Sequence, residues 1–126
     1  MFVPKVLKNW FIIHFIVDIL LAIPLMFFPE VFLSYLGWTQ IDPLTTRLVA
    51  AALFAIGIES FICRNGSVET FKNMLTLKII WSSAAILGLI LSYFVLTELS
   101  LVILSLIIIF VLFNILWWYW RLRLNK

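Results

Sequence analysis

Four long apolar stretches alternate with short polar segments along the chain, and they predict four membrane-spanning helices. The stretches cover about residues 7–28, 43–63, 74–96 and 100–120. Each has close to the roughly 20 apolar residues that a helix needs to cross a hydrocarbon core of about 30 Å. Asp42 and Pro43 favour a helix start, as N-cap and first helical residue. The predicted fold class is an all-α polytopic membrane protein, an antiparallel four-helix bundle that forms a single domain.

A shorter pattern lies between the first two spans. From Glu30 to Leu36, apolar side chains recur at helical spacing, and Gly37 closes the segment. This pattern predicts a short helix that lies in the membrane interface, and an ordered loop is the alternative. Pro24, one turn before the end of the first span, is a position where that helix can bend.

The composition excludes several classes of protein. Of 126 residues, 65% are hydrophobic and only 12% are charged, and the mean hydropathy is +1.19. A soluble domain is about one quarter charged, so neither a soluble globule nor a disordered chain fits. Cys63 is the only cysteine and His14 the only histidine, so we expect no disulfide framework, no structural zinc site and no cofactor. The sequence favours a non-enzymatic protein.

The positive charges predict the orientation. Seven of the nine Lys and Arg residues fall on one side if the four spans alternate, and only Arg47 lies at the other side. Both termini are therefore expected in the cytoplasm, with the chain in a bacterial cytoplasmic membrane. The net charge of +3 indicates topology rather than nucleic acid binding. The first span contains polar residues and lacks a small-residue cleavage site, so we expect a permanent span.

Polar side chains inside the apolar stretches are the candidates for function. They are His14, Asp18, Glu59, Lys78, Ser82 and Asn114. A charge near a helix centre costs about 2.5–3.5 kcal/mol on insertion scales, so such groups usually face protein or trapped water. Asp18 lies about 16 Å from the inner end of its helix, and His14 lies one turn nearer that end on the same face.

Small residues predict which faces point inward. Glu59 shares a face with Ala51, Ala52 and Ala55. Lys78 and Ser82 begin a stripe that continues through Ala84, Ala85, Gly88 and Ser92. Small residues let helices approach closely in lipid, so we predict that Glu59 pairs with Lys78 and that His14 and Asp18 adjoin this network. As alternatives, the pair only fixes helix register or Lys78 snorkels to the headgroups. Arg47 is expected to anchor the outer interface beside Asp42 or Glu30.

The stretch from Leu21 to Phe61 carries a resemblance to a known family. It contains Pro29, then Leu36-Gly37, a short polar loop, and Arg47 entering the small-residue run from Ala50 to Gly57. This layout resembles the DoxX-like superfamily of small four-helix bacterial membrane proteins. The resemblance implies a four-helix bundle with an intramembrane cavity. Asp18 and Glu59 are also similar to the acidic pocket residues of the sterol-isomerase and sigma-2-receptor group.

Three functions compete on these observations. The first is a membrane protein whose polar pocket holds a lipid-like or amphipathic small molecule or a partner subunit, with Trp81, Trp117 and Phe113 packing the apolar groups. The second is an oligomeric proton-coupled transporter in which Asp18 exchanges protons with substrate. The third is an intramembrane isomerase that uses His14 or Asp18 with Glu59. The expected partners are the lipid bilayer and, in addition, another copy of the chain or a second membrane subunit.

Overall fold

A computed structural model describes residues 2–125, which form five α-helices and contain no β-strand. The helices are α1 (Lys5–Phe27), α2 (Pro29–Tyr35), α3 (Pro43–Ile62), α4 (Val68–Tyr93) and α5 (Ser100–Arg123). Short 3₁₀ turns at Cys63–Asn65 and Thr97–Leu99 follow α3 and precede α5. The all-α class, the four spans and the short helix between the first two are confirmed.

Within residues 2–125, four helical segments are long and apolar enough to cross a membrane. They are Lys5–Phe27, Pro43–Asn65, Val68–Tyr93 and Leu101–Arg123. The shortest have 23 residues. At about 1.5 Å per residue, such a helix is about 34 Å long. This length exceeds a hydrocarbon core of about 30 Å, so the protein is a small membrane protein.

The polar segments start and stop the helices as their residue types predict. Asp42 caps α3, because one carboxylate oxygen accepts the Leu44 N–H at 3.0 Å and the other accepts the Thr45 hydroxyl. Pro43 takes the first helical position, where a missing N–H breaks no helical bond. After α2 the chain turns through Gly37. Its φ of 96° is one that glycine adopts without steric conflict, because it has no Cβ atom.

The first of two compact units lies within Met1–Ser67, and in it α1 packs along α3. Three contacts give the direction: Met26 with Arg47, Asp18 with Gly57, and Phe15 with Phe61. Residue numbers fall along α1 as they rise along α3, so the two helices are antiparallel. Helix α2 also contacts both of them.

The buried face of α3 differs from the predicted one. Ala50, Leu53, Ile56, Gly57 and Ser60 are buried. Ala51, Ala55 and Glu59, which were predicted to point inward, are exposed, and Ala52 is half-buried. Residues two apart on a helix are separated by about 200°. Because Gly57 packs against α1, both Ala55 and Glu59 turn away from it.

The second compact unit lies within Val68–Lys126 and contains the antiparallel pair α4 and α5. Contacts of Thr76 with Arg121 and of Ser82 with Asn114 give the direction. Lys78 and Ser82 are buried in α4, whereas Ala84 and Gly88 of the predicted close-packing stripe are exposed. A Cβ atom at Gly88 would meet nothing within 4 Å, so this glycine serves no close helix contact in the described structure.

Candidate functional site

A buried contact between a histidine and an aspartate lies in the middle of α1. His14 Nδ1 is 3.0 Å from Asp18 Oδ2, and the two residues are one helical turn apart. They are only 8% and 4% exposed, because both lie on the stripe of α1 that also buries Leu7, Phe11 and Ala22. The contact has the distance of an ion pair but not the alignment of a hydrogen bond, and Oδ2 has no hydrogen-bond donor among residues 2–125. This carboxylate oxygen is therefore held in an apolar setting by one nearby imidazole.

Gly57 allows that setting to form. A Cβ atom at this position would lie 2.8 Å from Asp18 Cβ, which is closer than non-bonded carbon atoms approach. The α1–α3 contact at Asp18 therefore requires a residue without a side chain. The prediction from sequence did not single out Gly57, although small residues such as glycine commonly lie where membrane helices approach closely.

Glu59 has a partner in the 3₁₀ turn that follows its helix. Cys63 Sγ lies 3.0 Å from Glu59 Oε1, four residues away, and donates its S–H to that oxygen. Cys63 is buried, whereas Glu59 is exposed. The neighbouring Ser60 is fully buried, and its hydroxyl donates to the Ile56 carbonyl at 2.6 Å.

In the second unit, Lys78 lies over an aromatic ring. Its Nζ is 5.0 Å from the centre of the Trp117 ring, and both residues are 1% exposed. The Trp117 ring stacks in turn on Phe113, with 5.6 Å between the ring centres. A cation over an indole face is attracted by the ring quadrupole, which partly replaces the hydration that Lys78 loses on burial.

Asn114 joins α5 to α4 through its amide nitrogen. Nδ2 lies 2.8 Å from Ser82 Oγ and 3.0 Å from Ser83 Oγ, with the Ile79 carbonyl at 3.4 Å. Its two N–H bonds are thus shared among three acceptors on one turn of α4. The Ser82 hydroxyl also donates to the Lys78 carbonyl at 2.7 Å.

A cleft of about 340 Å³ opens near the C-terminal end of α5. We call it the Arg121 cleft; its lining residues are Thr76, Ile79, Ile80, Trp118, Arg121, Leu122 and Asn125. Arg121 Nε donates to Thr76 Oγ1 at 3.2 Å, and its Nη1 donates to Asn125 Oδ1 at 2.6 Å. The exposed surface of the cleft is thus almost wholly apolar, and the polar groups of Arg121, Thr76 and Asn125 bond to one another beside it. The prediction from sequence treated Arg121 only as a topology signal and did not include Thr76 or Asn125.

The predicted pocket residues fall into both compact units. His14, Asp18 and Glu59 belong to the first, and the second contains Lys78, Ser82, Asn114, Trp117 and the half-buried Trp81. The pairing of Glu59 with Lys78 and the isomerase hypothesis stay predictions. No group of three or more metal-binding His, Cys, Asp or Glu side chains occurs among residues 2–125.

Arg47 has a different partner from the expected carboxylates. Its Nε donates to the Met26 carbonyl at 3.0 Å, at the C-terminal end of α1. The last carbonyls of a helix lack helical N–H donors and carry partial negative charge, so a guanidinium satisfies them well.

Comparison with protein-family models, with curated proteins and with solved structures finds no match to this chain. The resemblance to DoxX-like proteins therefore stays a prediction.

Proposed function

We propose that this small membrane protein is non-enzymatic and binds a lipid-like or amphipathic molecule within the membrane. The observation that carries the proposal is the Arg121 cleft, which sets one guanidinium, one hydroxyl and one amide beside four apolar side chains. Ligand sites are typically apolar concavities with a few placed polar groups, and they fall in the range of about 300–1,000 Å³.

Two substitutions on α4 test this function. Ile80→Trp fills the cleft, whereas Leu77→Trp places the same bulk on another exposed site of α4, outside the cleft. We expect the protein, purified in a mild detergent, to retain lipid and to gain thermal stability when total membrane lipid is added. Ile80→Trp should lose both properties, and Leu77→Trp should keep them. Native protein with no retained lipid and no lipid-dependent stability would refute the function.

A proton-coupled transporter is the second candidate, and the buried His14–Asp18 pair favours it. A carboxylate inside a membrane helix is a functional candidate by default, since its burial is unfavourable. Proteoliposomes loaded with a pH-sensitive dye should then report substrate-dependent proton flux that Asp18→Asn abolishes. Flux that is unchanged in this isosteric variant would exclude Asp18 as the coupling group.

A further inference from the structure

We infer that the Arg121 cleft recognises the phosphate of an anionic phospholipid, and that Arg121 is the residue that binds it. This inference rests on the proposed function and names its ligand class. It starts from the position of the guanidinium, which two neutral neighbours hold at the edge of the cleft.

The hydrogen bonds of Arg121 leave donors for a ligand. Its Nε–H goes to Thr76 and one Nη1–H goes to Asn125, so three of the five N–H bonds remain among the described residues. The Thr76 hydroxyl is itself oriented, because it donates to the Lys72 carbonyl at 2.9 Å. A guanidinium fixed in this way is ready to bind two oxygens of one phosphate, and little rotational freedom is left to lose.

The charge around the cleft favours an anion. No lining residue is acidic, and neither Thr76 nor Asn125 neutralises the guanidinium. Lys72 lies one turn before Thr76 on the same face of α4. Glu69, in the first turn of α4, is the nearest acidic residue along that helix. This excess of positive charge attracts an anionic headgroup more strongly than a zwitterionic one.

The apolar side chains that line the cleft favour a lipid over a free anion as its ligand. Ile80 and Leu122 are largely exposed beside the guanidinium, and Trp118 is half exposed. In membrane proteins, Trp side chains commonly lie at headgroup depth, with the phosphate level nearby. An acyl chain that runs from a phosphate at Arg121 along Ile79 and Ile80 would cover surface that inorganic phosphate leaves bare.

The experiment compares lipids and variants on the full-length protein. Delipidated protein is titrated with short-chain phosphatidylglycerol, short-chain phosphatidylcholine or inorganic phosphate, and binding is followed by native mass spectrometry and thermal unfolding. Arg121→Gln removes the charge, and Arg121→Lys keeps the charge but not the planar fork. Arg123→Gln is the matched control, because Arg123 contacts Tyr119 at 5.4 Å and does not line the cleft.

We expect phosphatidylglycerol to bind at least about tenfold more tightly than phosphatidylcholine, because both lipids carry a phosphodiester but the choline ammonium of phosphatidylcholine is repelled by the positive side chains at the cleft. Arg121→Gln should remove that preference, Arg121→Lys should reduce it several-fold, and Arg123→Gln should keep it within twofold.

If both lipids bind the native protein equally, the inference is overturned while the proposed function stands. If inorganic phosphate competes as well as lipid, the site is for soluble anions and the inference is also overturned. If no lipid binds, the proposed function fails as well. Should Arg121→Gln not fold, Arg121→Lys and the native competition decide the same question.

Discussion

At the scale of single residues, the His14–Asp18 pair is the least expected feature of so apolar a chain. We predict energetic coupling between the two side chains, because they lie 3.0 Å apart and both are buried. In a double-mutant cycle of His14→Leu and Asp18→Asn, the combined loss should fall short of the sum of the single losses by about 1–3 kcal/mol. The measurement is unfolding by denaturing detergent in mixed micelles.

A second cycle controls the first. His14→Leu combined with Ser34→Ala, an exposed position on α2, should be additive within about 0.5 kcal/mol. Additivity in both cycles would mean that the 3.0 Å contact contributes nothing to stability.

The Asp42 cap predicts an acid-dependent loss of stability. Hydrogen bonds from the Thr45 side chain first, and then from the backbone N–H groups of Thr45 and Leu44, lower the pKa of Asp42 below its ordinary 3.8. The unfolded chain therefore takes up the proton at a higher pH than the folded chain does. The contribution to stability is complete above about pH 4 and is lost as the pH falls through the lowered pKa.

Thermal unfolding between pH 3 and 6 measures this loss. Asp42→Asn keeps an N-cap but cannot titrate, so its melting temperature should fall less steeply in acid than that of the native protein. Thr45→Val removes the largest cause of the lowered pKa and should also flatten the slope. Parallel acid slopes in all three proteins would contradict the prediction.

Residue identity alone predicted some of these contacts and missed others. The Asp42 cap depends on neighbours two to four positions along the chain, so it can be predicted from the local sequence. The partner of Arg47 is a backbone carbonyl 21 residues away, and every residue type has one. No side-chain pattern distinguishes Met26 from its neighbours in that role.

At the scale of helices, the packing of α1 on α3 depends on Gly57. Gly57→Ala should destabilise the protein by about 1–3 kcal/mol, because the new Cβ would overlap Asp18 Cβ and force the helices apart. Gly88→Ala is the matched control. It adds the same methyl group to α4 in open space, and it should be neutral or stabilising by up to about 1 kcal/mol through helix propensity. Equal effects of the two substitutions would show that Gly57 is not a close-contact site.

The link from Asn114 to α4 gives a second prediction for packing. Asn114→Leu should lower stability by about 0.6 kcal/mol, and by no more than about 1.7 kcal/mol, as found for hydrogen bonds between membrane helices. Ser105→Ala is the control on the same helix, because the Ser105 hydroxyl bonds only to the Leu101 carbonyl one turn earlier. The free energies of unfolding of the two variants are measured in mixed micelles. A larger loss for Ser105→Ala would contradict a bridging role for Asn114.

Helix positions were predictable from sequence, and helix faces were not. Lipid requires every backbone group to be satisfied internally, so apolar stretches of spanning length become helices, and the predicted bounds agree within a few residues. The sequence predicts that the third helix starts behind Ser67, with amphipathic turns before its spanning part at residue 74, and α4 begins at Val68. The inward face of α3 was inferred from its alanines, although one glycine with no Cβ decides which side packs closest. Small residues occur on several faces of an apolar helix, and composition does not show which of these faces packs most closely.

At the scale of the whole molecule, the distribution of Lys and Arg predicts the orientation in the membrane. In a Cys63→Ser background, single cysteines at Gln40 and Glu98 should react with an impermeant maleimide in intact bacterial cells. A cysteine at Asn65 should react only after permeabilisation, because the loops that hold Lys and Arg are retained in the cytoplasm. Labelling of position 65 in intact cells would invert the predicted orientation. Equal labelling of positions 40 and 65 would indicate insertion in both directions.

The bond from Arg47 to the Met26 carbonyl has a consequence for biosynthesis. A ribosome adds about 5–20 residues per second, so Arg47 is made about one to four seconds after Met26. During that interval the nascent first span has no guanidinium at its far end. The Met26 carbonyl gains this donor only after the start of the second span has been made, so the two spans are joined at this point no earlier than that.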